Sequence, residues 1–202
     1  MTVTAHRPYV VGLSGVPGSG KTALLRRLLQ ACPGAQSVSY DQFHPGLSET
    51  EIEDWIRRGG APDELPLTAL METLSRLTKE RAQAATRPLL LFETAFGRAH
   101  RASGAFVDFS VWIDTPLDLA LARAVLVFLD QVARDPAPGA AAEFISWQTR
   151  YMQDYPMLRR MYLAARERGA AAADLVVDGA QPVEASAALV TKALAERDIV
   201  PR

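Results

Sequence analysis

The stretch VVGLSGVPGSGKTALLRRLL, residues 10–29, constrains this chain more than any other. An apolar run ends in glycine, turns through two further glycines, and resumes as a leucine-rich segment behind a lysine and a threonine. The run from Tyr9 to Gly15 predicts a buried strand. Leu24, Leu25, Leu28 and Leu29 share one face while Arg26 and Arg27 face outward, which predicts a helix that Pro33-Gly34 stops. Between them Gly15-Val16-Pro17-Gly18-Ser19-Gly20-Lys21-Thr22 fits G-x-x-x-x-G-K-[ST] in the strand-turn-helix context that pattern needs. Glycines let backbone N–H groups converge on a phosphate, and the helix N-terminus adds partial positive charge. Lys21 suits the β and γ oxygens, and the Thr22 hydroxyl suits Mg²⁺. The turn is built to hold a nucleoside triphosphate.

The rest of the chain alternates strand and helix signals. AQSVSY predicts a short second strand. In SETEIEDWIRR, Ser48 and Glu51 have capping-box spacing, so residues 48–58 predict a helix ended by Gly59-Gly60. Residues 66–85 predict another, with Leu67, Leu70, Leu74 and Leu77 spaced for burial and Pro66 at its start. PLLLF and residues 105–113 predict core strands, and Thr115-Pro116 starts the next helix. A Trp-, Tyr-, Met- and Arg-rich helix over about 141–168, the strand ADLVVDG and a helix from Pro182 complete the pattern. It implies a three-layer α/β/α sandwich with a parallel sheet, formed as one domain by residues 1–202.

Composition excludes several classes. With 202 residues, 49% of them hydrophobic, and a formal net charge of -1, the chain suits one globular domain with a sizeable core. It has no global pull toward nucleic acid or an anionic membrane, so phosphate binding must be local. Cys32 is the single cysteine, which leaves no disulfide framework and no cysteine-based metal site. No leader pattern opens the sequence and no apolar run approaches the ~20 residues that span a bilayer, so the expectation is a soluble, cytoplasmic protein without a membrane or nucleic-acid partner. Its oligomeric state is left open.

Two carboxylates mark the expected site. The second strand ends at Tyr40-Asp41, at the carboxyl edge where open α/β sheets bind ligands, and phosphoryl transfer to a hydroxyl needs a carboxylate there to take the proton. Glu93 closes the apolar strand RPLLLFE, where a charge is costly unless it is used or solvated, and it suits Mg²⁺ or an acceptor hydroxyl. His44 and Arg98 are weaker candidates for substrate contact. No guanine-reading N-K-x-D motif and no L-S-G-G-Q transporter signature occurs, which leaves a small kinase or a nucleotide-gated binding protein.

Gly15 to Thr22, Asp41 in YDQFHP, Glu93 in LLLFET and VWIDTPLDLALAR at 111–123 resemble the uridine kinase and nicotinamide riboside kinase branch of the P-loop kinases. That resemblance implies ATP as donor, with GTP not excluded, and Mg²⁺. It implies a catalytic base at Asp41, a metal or acceptor contact at Glu93, and a phosphate-clamping arginine at Arg123, which opens a helical lid over about 123–168. The branch commonly carries further lid arginines where this chain has Ala124, Val127 and Phe128. Arg134, Arg150, Arg159 and Arg160 are therefore alternative sources.

Residues 41–54 carry Asp41, Glu49, Glu51, Glu53 and Asp54 and no lysine or arginine, which disfavours an acceptor that already bears a phosphate. Arg57, Arg58, Arg98 and Arg101 lie outside that segment. The aromatic stripe Trp147, Tyr151 and Tyr155 fits core or lid packing, and alternatively a stacking platform. The expectation is an ATP-dependent kinase acting on a hydroxyl of an unphosphorylated, nucleoside-like or sugar-like small molecule. The alternatives are a nucleotide-sugar or nucleoside monophosphate kinase and, from another class, a nucleotide-binding switch.

Overall fold

The computed structural model describes residues 4–43, 45–79, 82–84, 88–134 and 139–200. In chain order the elements are β1 (Thr4–His6), β2 (Tyr9–Ser14), α1 (Lys21–Ala31), β3 (Gln36–Ser39), α2 (Glu49–Arg57), α3 (Thr68–Lys79), β4 (Ala82–Ala84), β5 (Leu89–Thr94), α4 (Arg101–Gly104), β6 (Phe109–Asp114), α5 (Leu117–Arg134), α6 (Ala140–Ala172), β7 (Leu175–Asp178) and α7 (Val183–Ala195). Five strands form a parallel sheet in the order β3-β5-β2-β6-β7, and β1 pairs antiparallel with β4 outside it.

The apolar run of β2 is explained by its place at the centre, paired in parallel with β5 on one side and β6 on the other. Side-chain alternation sends Val11 and Leu13 to one face, where Leu24 and Leu28 of α1 and Val190 and Leu194 of α7 cover them. Val10 points to the other face, under Trp55 of α2 and Leu70 and Leu74 of α3. Leu28, Leu70 and Leu74 are fully buried, and truncating any of them to alanine costs about 2–5 kcal/mol.

The capping box at the start of α2 forms in full: Ser48 accepts from the Glu51 N–H, and Glu51 accepts from the Ser48 N–H at 2.8 Å. The helix expected over residues 66–85 is shorter. It starts at Thr68, behind a buried Leu67 at φ 34°, and ends at Lys79. Residues 82–84 instead pair with β1, so strand pairing overrides the helix propensity of the alanines there. Residues 80, 81 and 85 lie outside the described residues.

The long helix α6 is set against the sheet by Gly169, where a Cβ would come within 2.2 Å of the Trp112 ring of β6. That close approach fixes where the 33-residue helix crosses the site. Among the described residues no helix is long and apolar enough to cross a membrane.

Candidate active site

The chain reverses between β2 and α1 at the carboxyl edge of the sheet, with neighbours leaving to either side, which is where open α/β sheets form a crevice. Gly18 sits at φ 77°, and a Cβ there would lie 1.9 Å from the Ala120 carbonyl oxygen, so only glycine lets the loop pack under α5. The Thr115 hydroxyl donates to the Ser19 carbonyl at 3.1 Å and secures the same contact. Lys21 curls back over the loop, its Nζ donating to the Gly15 and Val16 carbonyls at 3.1 and 3.2 Å. Burial lowers the Lys21 pKa, against the opposing attraction of the Glu93 and Asp41 carboxylates. Both acids therefore stand close enough to Lys21 to act on its charge.

Glu93 is 3% exposed at the end of β5 and accepts a hydrogen bond from the Thr22 hydroxyl at 2.5 Å. Asp41 lies in a 3₁₀ turn over Tyr40–Gln42, directly after β3, and is exposed. Its neighbour Tyr40 has its pKa raised, chiefly by burial and further by the Asp41 charge. The strand ends thus bring Lys21, Thr22, Asp41 and Glu93 to one side of the P-loop. The donor set fits Mg²⁺ with a triphosphate: a hydroxyl and a buried carboxylate in contact, an ammonium beside them, and a glycine cradle. The Ser19 hydroxyl, inside the loop, is buried and has no hydrogen-bond partner among the described residues.

Most of the arginine candidates are engaged within the protein. Arg123 donates to the Gly179 carbonyl at 2.7 Å, in the turn after β7. Arg98 ends at the amino edge of the sheet, ion-paired with Asp174 at 2.8 Å and donating to the Ala172 and Asp108 carbonyls. The structure does not bring it to the P-loop. His44 lies outside the described residues. Arg134 pairs with Asp130 in its own helix, and Arg159 and Arg160 are exposed on α6. Arg150 crosses from α6 to donate to Glu49 of α2 and lies 4.0 Å from Glu53. Arg166, which was not among the sequence candidates, binds Asp114 at the end of β6 through two hydrogen bonds of 2.5 and 2.8 Å. Its only sequence signal was an arginine on a helix that also carries a stripe of aromatics.

A cavity of about 420 Å³ opens beside the P-loop, within the usual range of small-molecule sites. Val16 and Pro17 form its lip, Tyr40 and Phe96 stand where β3 and β5 end, and α2 and α6 form its sides. Trp147 and Tyr151 line it, while the stripe also packs on α5, with Trp147 stacked on Phe128 at 5.8 Å and the Tyr155 hydroxyl donating to the Leu117 carbonyl at 3.3 Å, the lid packing that the sequence predicts. Glu49 and Glu53 line it too, whereas Glu51 is used in the α2 cap and Asp54 in an ion pair with Arg57.

No family model matches the chain, and no curated protein matches it. Among solved structures, a gluconokinase from Sinorhizobium meliloti 1021 is similar over 96% of this chain and 95% of its own, with TM-score 0.54 and 18% identity. A sugar kinase from Janibacter sp. HTCC2649 is similar over 96% of each chain, with TM-score 0.50 and 20% identity. Together with the sheet order and the P-loop, these likenesses define the fold as the α/β P-loop kinase fold, as the sequence predicts.

Proposed function

We propose that this protein is an ATP-dependent kinase that phosphorylates a hydroxyl of an unphosphorylated small molecule. One observation carries the reading: Lys21, Thr22, Glu93 and Asp41 gather beside a cavity of ligand size at the P-loop. Kinase-fold neighbours that act on gluconate and sugars, and the resemblance to the uridine kinase branch, support it. In the reaction the acceptor's oxygen bonds to the γ-phosphorus, and the bond from that phosphorus to the β–γ bridging oxygen breaks. ADP leaves, and the hydroxyl proton passes to the Asp41 carboxylate. Mg²⁺, held by Thr22 with Glu93 behind it, would neutralise charge on the β and γ oxygens. Lys21 leaves the loop carbonyls for those oxygens. Arg123, held here at the Gly179 carbonyl, is the lid arginine that would clamp phosphate, and α5 with α6 serves as the lid within one domain.

Arg150 and Arg168 reach the acceptor cavity, and this favours one second reading, a kinase whose acceptor already carries a phosphate. Incubation with γ-labelled ATP and a panel of nucleosides, monophosphates, sugars and aromatic alcohols decides the matter. A labelled neutral compound is expected. Label only on monophosphates selects the second reading, and nucleotide hydrolysis with no labelled acceptor overturns both.

A further inference from the structure

The acceptor cavity has two aromatic walls. On the side of α2 and β5, Trp55 and Phe96 meet edge to face at 6.4 Å, and Tyr40 meets Phe96 at 5.1 Å. On α6, Trp147 and Tyr151 stack at 5.6 Å with their planes 10° apart. Two of the polar tips, those of Trp55 and Tyr151, are engaged within the protein. Trp55 Nε1 donates to the Ala61 carbonyl at 2.8 Å, and the Tyr151 and Tyr162 hydroxyls meet at 3.4 Å. Trp55 and Tyr151 thus offer a ligand π-face and edge, supplemented by the Phe96 ring and the thioethers of Met157 and Met161. Trp147 is 53% exposed although held by stacked rings on both sides, Phe128 at 5.8 Å and Tyr151. An indole fixed in this way leaves its edge open to a ligand.

We infer that the acceptor is an uncharged, flat aromatic compound carrying the reacting hydroxyl, its ring plane fixed by Trp147 and Tyr151 while the hydroxyl reaches Asp41 past Tyr40. This rests on the kinase reading above and narrows it. A polyol in this space finds partners in the Glu49, Glu53, Asp154, Arg150 and Arg168 side chains, but each hydroxyl it sets against rings and thioethers loses water without gaining a partner and costs free energy. An aromatic ring meets those surfaces with no such cost. Charge recognition is weak there: Arg150 contacts both Glu49 and Glu53, and with Asp154 and Arg168 the lining holds three acids against two arginines. An anionic acceptor gains no net attraction from such a set.

The test uses the full chain and three probes: naphthylmethanol, uridine and gluconate. Binding is read from tryptophan emission, since Trp55 and Trp147 line the cavity, and transfer is read from γ-labelled ATP. Naphthylmethanol is expected to quench the emission and to be labelled with a kcat/KM about tenfold or more above the other two. Trp147→Ala should raise its KM by about tenfold, and Trp147→Phe, which keeps a ring, should restore most of that. Because Trp147 is exposed on α6, neither variant threatens folding. Preferential labelling of uridine or gluconate overturns the aromatic class and leaves the kinase reading standing. Quenching by naphthylmethanol with no label in any probe supports the aromatic class and overturns the kinase reading. The absence of both quenching and labelling with naphthylmethanol overturns the inference.

Discussion

The Thr22 hydroxyl donates to Oε1 of the buried Glu93 at 2.5 Å, joining the first turn of α1 to the end of β5 across 71 residues of sequence. This contact ties the residue that the P-loop motif reserves for Mg²⁺ to a carboxylate able to orient it or to ligate the metal through water. On the proposed reading Thr22→Ala removes a direct metal ligand, and Glu93→Gln keeps shape while removing charge. Both variants are expected to need several-fold more Mg²⁺ for half-maximal phosphoryl transfer. Metal titrations that superimpose on the parent curve would remove the two residues from the metal site.

Lys21→Met removes an ammonium from a partly buried position. Phosphoryl transfer is expected to fall by several orders of magnitude, because on the proposed reading the β and γ oxygens lose their cation. Stability is expected to hold or rise. Burial holds the Lys21 pKa below its ordinary value, so the charged form is disfavoured in the folded chain, and that penalty operates at neutral pH and disappears only in strong alkali. A thermal melt of the variant beside the parent checks the sign; a large drop in melting temperature counts against the burial argument.

Asp41→Asn separates a proton acceptor from a turn residue, since asparagine keeps the shape and an acceptor oxygen but takes no proton at neutral pH. If Asp41 is the general base proposed above, kcat is expected to fall roughly 10² to 10⁴-fold. Nucleotide affinity, held by residues 15–22, should stay near that of the parent. Calorimetric nucleotide binding measured alongside acceptor phosphorylation distinguishes the roles, and turnover indifferent to the substitution selects a nucleotide-binding switch.

Charge discrimination follows from the cavity lining. Given a neutral acceptor and the same compound bearing a phosphate, the neutral one is expected to show the higher kcat/KM, because Glu49, Glu53 and Asp154 outnumber the arginines beside them. The reverse order assigns Arg150 and Arg168 to an acceptor phosphate.

Arg166 holds the Asp114 carboxyl below the ordinary carboxylate range, through hydrogen bonds first and charge second. A lowered carboxylate pKa contributes stability above the unfolded value of 3.8 and loses it as pH falls through the folded value. The two side chains are 40% and 31% exposed, so the contribution is small, about 0.5–1 kcal/mol at pH 7. Denaturant unfolding of Arg166→Ala should show that deficit at pH 7 and none once both carboxyl forms are protonated. A deficit that persists unchanged in acid would assign the effect to lost packing of the arginine stem.

The residues by themselves determined what is local. The P-loop was legible because its glycines, lysine and threonine act within eight consecutive positions, and the cap of α2 because Ser48 and Glu51 reach each other across three. Apolar runs that feed helices sufficed for a parallel sheet covered on both faces. Asp41 and Glu93 were legible as strand-end carboxylates, since a strand that ends in an acid places it at the sheet edge whatever surrounds it. Tertiary structure decided what depends on one element crossing another. Arg150 meets Glu49 over 101 residues and Arg166 meets Asp114 over 52, and neither spacing leaves a periodic trace in the chain. Arg98, close in sequence to Glu93, runs back to the opposite edge because the segment after β5 returns across the sheet. Trp147, Tyr151 and Tyr155 have the spacing of a packed helical stripe, and α6 sets that stripe against α5 and beside the cavity. Helical periodicity says which residues share a face; the packing of Gly169 on Trp112 sets where that face points.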